Sequence, residues 1–192
     1  VALLYQAGRL EEAQKAMALL GESGAQGLER ISAEVAFNEG RLEEAAKLAE
    51  QSVSEDTKQP EDLLWLGQML ARTGKKERAA EVLARATELA PSNPEVWLAL
   101  FTQRVSAQLP EAEDSLLKAA ALIPEPKKQI ALAQGYEMLG RDADAERALR
   151  EAAAGFPENI EAMRALASFE IRKGDRTKAR GLLEKMLAST DD

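Results

Sequence analysis

Paired carboxylates are where chemistry would have to sit in this sequence: Glu11/Glu12, Glu43/Glu44, Glu61/Asp62, and the trio Glu111, Glu113 and Asp114. Two acids flanking a cleft at a fixed separation can cleave a glycosidic bond, one as general acid and the other as base or nucleophile. No other group supports such a reaction. The chain has no histidine and no cysteine, which removes the commonest general base, the commonest zinc ligand and any thiolate site. A glycine-rich phosphate loop, a calcium loop and a Ser/His/Asp set are all missing from the sequence. Each acidic group also stands at the start of an apolar-periodic segment, where a carboxylate is stabilised by the positive end of the helix dipole. The acids are read as helix starters. No enzyme activity, cofactor or metal site is predicted.

The elements that carry these acids are clearest between Pro60 and Pro94. One apolar stripe runs Leu63, Leu66, Gly67, Leu70 and a second runs Ala79, Leu83, Ala86, Leu89, the spacing of buried helix faces. Between them Gly74 supplies the left-handed turn that ends one helix and starts the next. Pro60 suits a first helical position, Pro91 closes the second helix, and Asn93 caps a third that Pro94 begins. The small anchor of the second helix recurs at Ala13, Ala45, Ala79, Ala112, Ala145 and Ala179, in steps of 32, 34, 33, 33 and 34 residues. Turn glycines precede five of them, at Gly8, Gly40, Gly74, Gly140 and Gly174, and prolines follow three, at Pro91, Pro124 and Pro157. Generic amphipathic helices have no fixed period, so turn, anchor and proline keeping step define a repeat.

The pattern resembles the tetratricopeptide repeat, W-x2-L-G-x2-Y, then A-x3-F, then P. Leu63, Leu66, Gly67, Leu70, Ala79, Leu83 and Pro91 match it with aliphatics in place of aromatics. Gln129, Leu132, Ala133, Tyr136, Ala145, Leu149 and Pro157 form the next best copy, and Met163, Leu166, Ala167, Glu170, Ala179 and Leu183 another. The copy at Trp97 departs most: Phe101 holds the small site, Arg104 the tyrosine site, and the turn glycine is missing, so a distorted hairpin is expected there. The copy around Ala45 is weak in its first helix. The resemblance covers essentially the whole chain and implies an all-α, right-handed solenoid of antiparallel helix hairpins. It would form one domain over 1–192: a partial repeat at 1–25, then 26–59, 60–93, 94–125, 126–159 and 160–192. Soft junctions are expected at Gly21, Gly24 and Gly27 and in the polar stretch 52–59.

In such proteins the first helices line a concave surface that receives a peptide. The equivalent positions here are Arg30, Leu64, Leu98, Ile130 and Arg164, an apolar strip with an arginine at each end. One turn on stand Glu34, Gln68, Thr102, Gln134 and Ser168, and a turn beyond those Phe37, Ala71, Val105, Glu137 and Ile171. An apolar peptide held along its backbone by Gln68 and Gln134 would fit this set, unless the aliphatics pack between neighbouring helices. Trp65 and Trp97 are read as packing residues. The basic and amide clamp by which tetratricopeptide co-chaperones hold the acidic tails of heat-shock chaperones is supplied by no register of these helices.

A net charge of −8 disfavours nucleic acid as a partner. No apolar run approaches the length of a membrane span. The chain starts at Val1 with the tail of a helix, which suggests a segment of a longer protein, and its Ala, Arg and Glu content suggests a bacterial source. Leu182, Leu183, Met186 and Leu187 on the last helix are expected to be open, so self-association through that helix is a candidate. The sequence thus predicts a protein–protein interaction scaffold that binds a peptide or subunit on its concave face. The alternative is a structural spacer without a groove ligand.

Overall fold

The turn glycines organise the structure. The computed structural model describes residues 28–188 together with Glu12 and Lys15; the partial repeat, with Gly8, Ala13 and the Gly21–Gly27 connection, lies outside the described residues. Gly40, Gly74, Gly140 and Gly174 all take the left-handed conformation, with φ between 71° and 87°. Each closes the same hydrogen-bond pair. The glycine N–H donates three residues back (Gly40 to Phe37, 3.0 Å; Gly140 to Glu137, 3.0 Å), and the next N–H donates five back (Arg41 to Ala36, 2.8 Å; Arg141 to Tyr136, 2.8 Å). Two orphan carbonyls at the helix end are thereby satisfied, and the chain is sent back antiparallel.

Ten helices result among the described residues: α1 (Leu28–Asn38), α2 (Leu42–Gln51), α3 (Pro60–Arg72), α4 (Lys76–Leu89), α5 (Pro94–Ser106), α6 (Ala112–Ala121), α7 (Lys127–Met138), α8 (Asp142–Gly155), α9 (Ile160–Lys173) and α10 (Arg176–Ala188). All seven prolines lie at helix ends, as their missing N–H requires. Asn93 accepts the Glu95 N–H at 2.9 Å, and Asn159 accepts that of Ala162 at 2.9 Å, so both cap as their residue type suggests. Where the turn glycine is missing, after α5, Gln108 takes φ 55° in its place.

The chain divides into two compact units, and the division runs through α5. One unit takes the described residues up to Pro91 with 102–107; the other takes 92–101 and everything from 108. In the first, α1 packs on α2, α2 on α3 and α3 on α4; in the second, contacts run α6 to α7, α7 to α8, α8 to α9 and α9 to α10, and α7 also touches α9. The anchors Ala45, Ala79, Ala112, Ala145 and Ala179 are all buried, as close helix approach demands. Gly67 shows how close: a Cβ there would stand 2.5 Å from Leu83 Cγ.

The polar stretch 52–59 differs from the soft junction expected of it. Val53 is buried, Thr57 donates through its hydroxyl to Asp62 at 3.1 Å, and the Gln59 N–H donates to Thr57 Oγ1 at 3.2 Å. One apolar residue turned inward and an Asp acting as acceptor tie this loop to the start of α3.

Candidate functional site

In the first unit the predicted groove residues of α1 are engaged with side chains of α3. Arg30 reaches from α1 to α3, where its guanidinium meets Asp62 at 2.5 Å and lies over the Trp65 ring at 4.8 Å. Glu34 receives both its bonds from Arg72 of α3 at 3.1 Å, and Arg72 sits 4.0 Å above the Phe37 ring. Leu64 and Val105 are half-buried, whereas Gln68 and Thr102 are exposed. A cation that is both ion-paired and stacked on an aromatic face fastens neighbouring first helices together.

The second unit contains a hollow of about 280 Å³ between α7 and α9. Ile130, Ala133, Leu149 and Ala165 give it an apolar lining, and Gln134 and Ser168 add neutral hydrogen-bonding groups. Glu161 and Arg164 line it too, as do Glu137 and Arg172, which pair with each other at 2.7 Å. The hollow exists because α7 and α9 present small residues, Ala133 and Ala165, where a larger side chain would close the gap.

Five predicted positions, Ile130, Gln134, Glu137, Arg164 and Ser168, are brought together here. Gln134 and Arg164 are exposed; Ile130 is 9% exposed and belongs to the core cluster with Leu149, Leu166 and Phe169. Leu98 is half-buried. The aliphatics of the strip are therefore not equally available: Ile130 is an inner wall of the hollow, not an open surface residue. Sequence reasoning missed Leu149 and Arg172. The first was legible only as a second-helix core position of the repeat, and the second lies one residue beyond the groove row.

The acid groups read as helix starters form ion pairs. Glu43 binds Lys75 at 2.7 Å, Glu44 binds Arg41, Asp62 binds Arg30, and Glu113 binds Arg141 at 2.6 Å. Among the described residues no acids are grouped in a way that could hold a metal ion, and no helix is long and apolar enough to cross a membrane.

Hairpins with left-handed glycine turns, buried small anchors and first helices that touch across a repeat define a helical-repeat protein of the tetratricopeptide type. Tetratricopeptide repeat signatures match residues 36–101 and 126–169, together more than half of the chain, and the chain belongs to that family. It is 28% identical over 189 residues to the cellulose synthase 2 operon protein C of Komagataeibacter xylinus, covering 94% of this chain and 14% of that protein. It is 28% identical over 124 residues to mouse interferon-induced protein with tetratricopeptide repeats 3, covering 62% of this chain and 31% of that protein. The chain thus spans less than a third of the length of either relative. Among solved structures, MamA (41-end) from Desulfovibrio magneticus RS-1 aligns with a TM-score of 0.55 at 22% identity, over 87% of this chain and 98% of that one. That likeness shows the all-α tetratricopeptide fold. Family membership supports a role in protein–protein interaction.

Proposed function

We propose that this chain is a non-enzymatic interaction module that receives an extended segment of a partner protein on its first-helix face, at the hollow between α7 and α9. The observation that carries the reading is the combination found there: a hollow of about 280 Å³ whose wall joins the apolar Ile130, Ala133, Leu149 and Ala165 to the neutral Gln134 and Ser168 and the charged Arg164. A pocket of this kind takes an aliphatic side chain, while the amide and hydroxyl hold the main chain. Arg164 has no ion pair among the described residues and is available to an incoming polar group.

Because Ile130 is a core residue, the test leaves it alone. Peptides would be selected from a displayed random library on this chain and remeasured against Ala165→Phe, which fills the hollow, and Ser168→Arg, which crowds its edge. Retained helical circular dichroism with binding weakened at least tenfold in both variants is the expected result; unchanged binding would overturn the site. A second reading, a structural spacer, draws support from the first unit, where Arg30, Glu34 and Arg72 are all engaged between α1 and α3. A selection that yields no binders would favour it.

A further inference from the structure

Glu170 stands out among the buried residues. Its side chain is only 4% exposed, yet it is an acid at the position where the equivalent helices carry Leu70, Arg104 and Tyr136. Burying a carboxylate costs far more than burying a leucine of similar size, so the acid needs a reason. Two cations supply one: Arg150 of α8 lies 3.7 Å from one oxygen and Lys178 of α10 lies 3.8 Å from the other. Glu146 of α8 also touches both, at 2.5 Å from Arg150 and 3.7 Å from Lys178, and Asp175 holds Lys178 at 2.8 Å.

The repeat register explains why two cations meet. Counted from the anchors Ala45 and Ala145, Glu50 and Arg150 are equivalent; counted from Ala79 and Ala179, so are Arg78 and Lys178, and Leu70 and Glu170. At the α2–α4 junction, Glu50 pairs directly with Arg78 at 3.2 Å, and the residue at the third position is the buried, neutral Leu70. At the α8–α10 junction the acid has become Arg150. Cation now faces cation, and the third position has become an acid.

We propose that positions 150, 170 and 178 form a charge-matching rule between neighbouring hairpins, in which Glu170 is the internal counter-ion that lets α10 dock beside α8. The face formed by α8 and α9 accordingly accepts a second helix that brings a cation to the site of Lys178. It rejects one like α2, α6 or α8, which carry Glu44, Glu111 and Asp144 there. Such a buried charge contributes pairing specificity, since a well-packed apolar residue would serve stability equally well or better. The rule makes a prediction opposite to that general expectation. Glu170→Leu, which restores the sister residue, should loosen α10, because Arg150 and Lys178 would lose the one buried carboxylate they share and keep in common only the half-buried Glu146.

The experiment is amide hydrogen exchange read by mass spectrometry on the whole chain, comparing Glu170→Leu with Glu170→Leu/Arg150→Glu. The double variant places at 150, 170 and 178 the acid, leucine and cation that α2–α4 carries as Glu50, Leu70 and Arg78. In the single variant, α10 amides should exchange about tenfold faster, with α7 amides unchanged; in the double, α10 exchange should return to that of the parent chain. Unaltered α10 exchange in the single variant would overturn the proposal. So would a double variant as fast as the single, or a loss of protection that spreads to α7, since the trio is held to govern one junction.

Discussion

Gly135 is the most tightly enclosed of the described glycines. It is not the small residue of the repeat pattern, which is Ala133, but lies two positions on, where the sister helices place the buried residues Met69, Gln103 and Phe169. A Cβ at Gly135 would fall 2.3 Å from Leu116 Cδ2 and 2.9 Å from its Cγ, so Leu116 of α6 fills the space that a side chain of α7 occupies elsewhere. Gly135→Ala should therefore force Leu116 out of position and destabilise the second unit by about 1–3 kcal/mol, despite the gain in helix propensity. A thermal melt that holds or rises would show that Leu116 has room to move. The anchors Ala79 and Ala145 could be read in the sequence because they recur in step; Gly135 could not, because its partner is one leucine of a neighbouring hairpin and appears in no period.

Among the elements, the turns were the most legible and the first-helix face the least. Glycine at four turns has one physical use, the left-handed conformation, and all four adopt it. The site depended on the exposure of individual aliphatics: Leu64, Leu98 and Ile130 share a position in the pattern, yet Ile130 is pulled into the core by Leu149 and Phe169. The missing glycine was likewise visible, and the structure shows its cost: Gln108 holds a backbone conformation unfavourable for a residue with a Cβ. Gln108→Gly should raise the stability of the chain by about 1 kcal/mol, measured by urea unfolding. No gain would mean that the Gln108 side chain compensates for its backbone.

Acid acts on the same turns. The Asp144 carboxyl is held below its ordinary value of 3.8 by the Arg141 guanidinium, and that of Asp175 by the Lys178 side chain and then its backbone N–H. A depressed folded-state value means that the stabilisation is present above pH 3.8 and is lost as pH falls through the lowered value. Melting temperatures should thus drop on moving from about pH 5 to about pH 2, and less steeply in Asp144→Asn/Asp175→Asn. Equal slopes in the two proteins would assign the acid sensitivity to other carboxylates.

Across the molecule as described, ion pairs between successive hairpins share a direction. Arg72 to Glu34, Lys75 to Glu43, Arg78 to Glu50, Arg141 to Glu113, Arg172 to Glu137 and Lys173 to Asp142 all place the base on the later hairpin and the acid on the earlier one. Arg30 with Asp62 and Arg150 with Glu170 run the other way. Each pair other than that of Glu170 is at least partly exposed and contributes roughly 0–1 kcal/mol. Their shared geometry should nevertheless make the melting temperature fall as sodium chloride rises from about 0.05 to about 0.5 M; a flat response would mean that side-chain ordering cancels the attraction. The polarity also bears on how such a chain can lengthen. A tandem duplication of 126–159 would set the copied Arg141 against Glu146, which holds in α8 the place that Glu113 holds in α6. The new seam would come into being already paired, so growth by whole hairpins needs no compensating mutation there, whereas a duplication that divided the 150, 170 and 178 trio would need one at once.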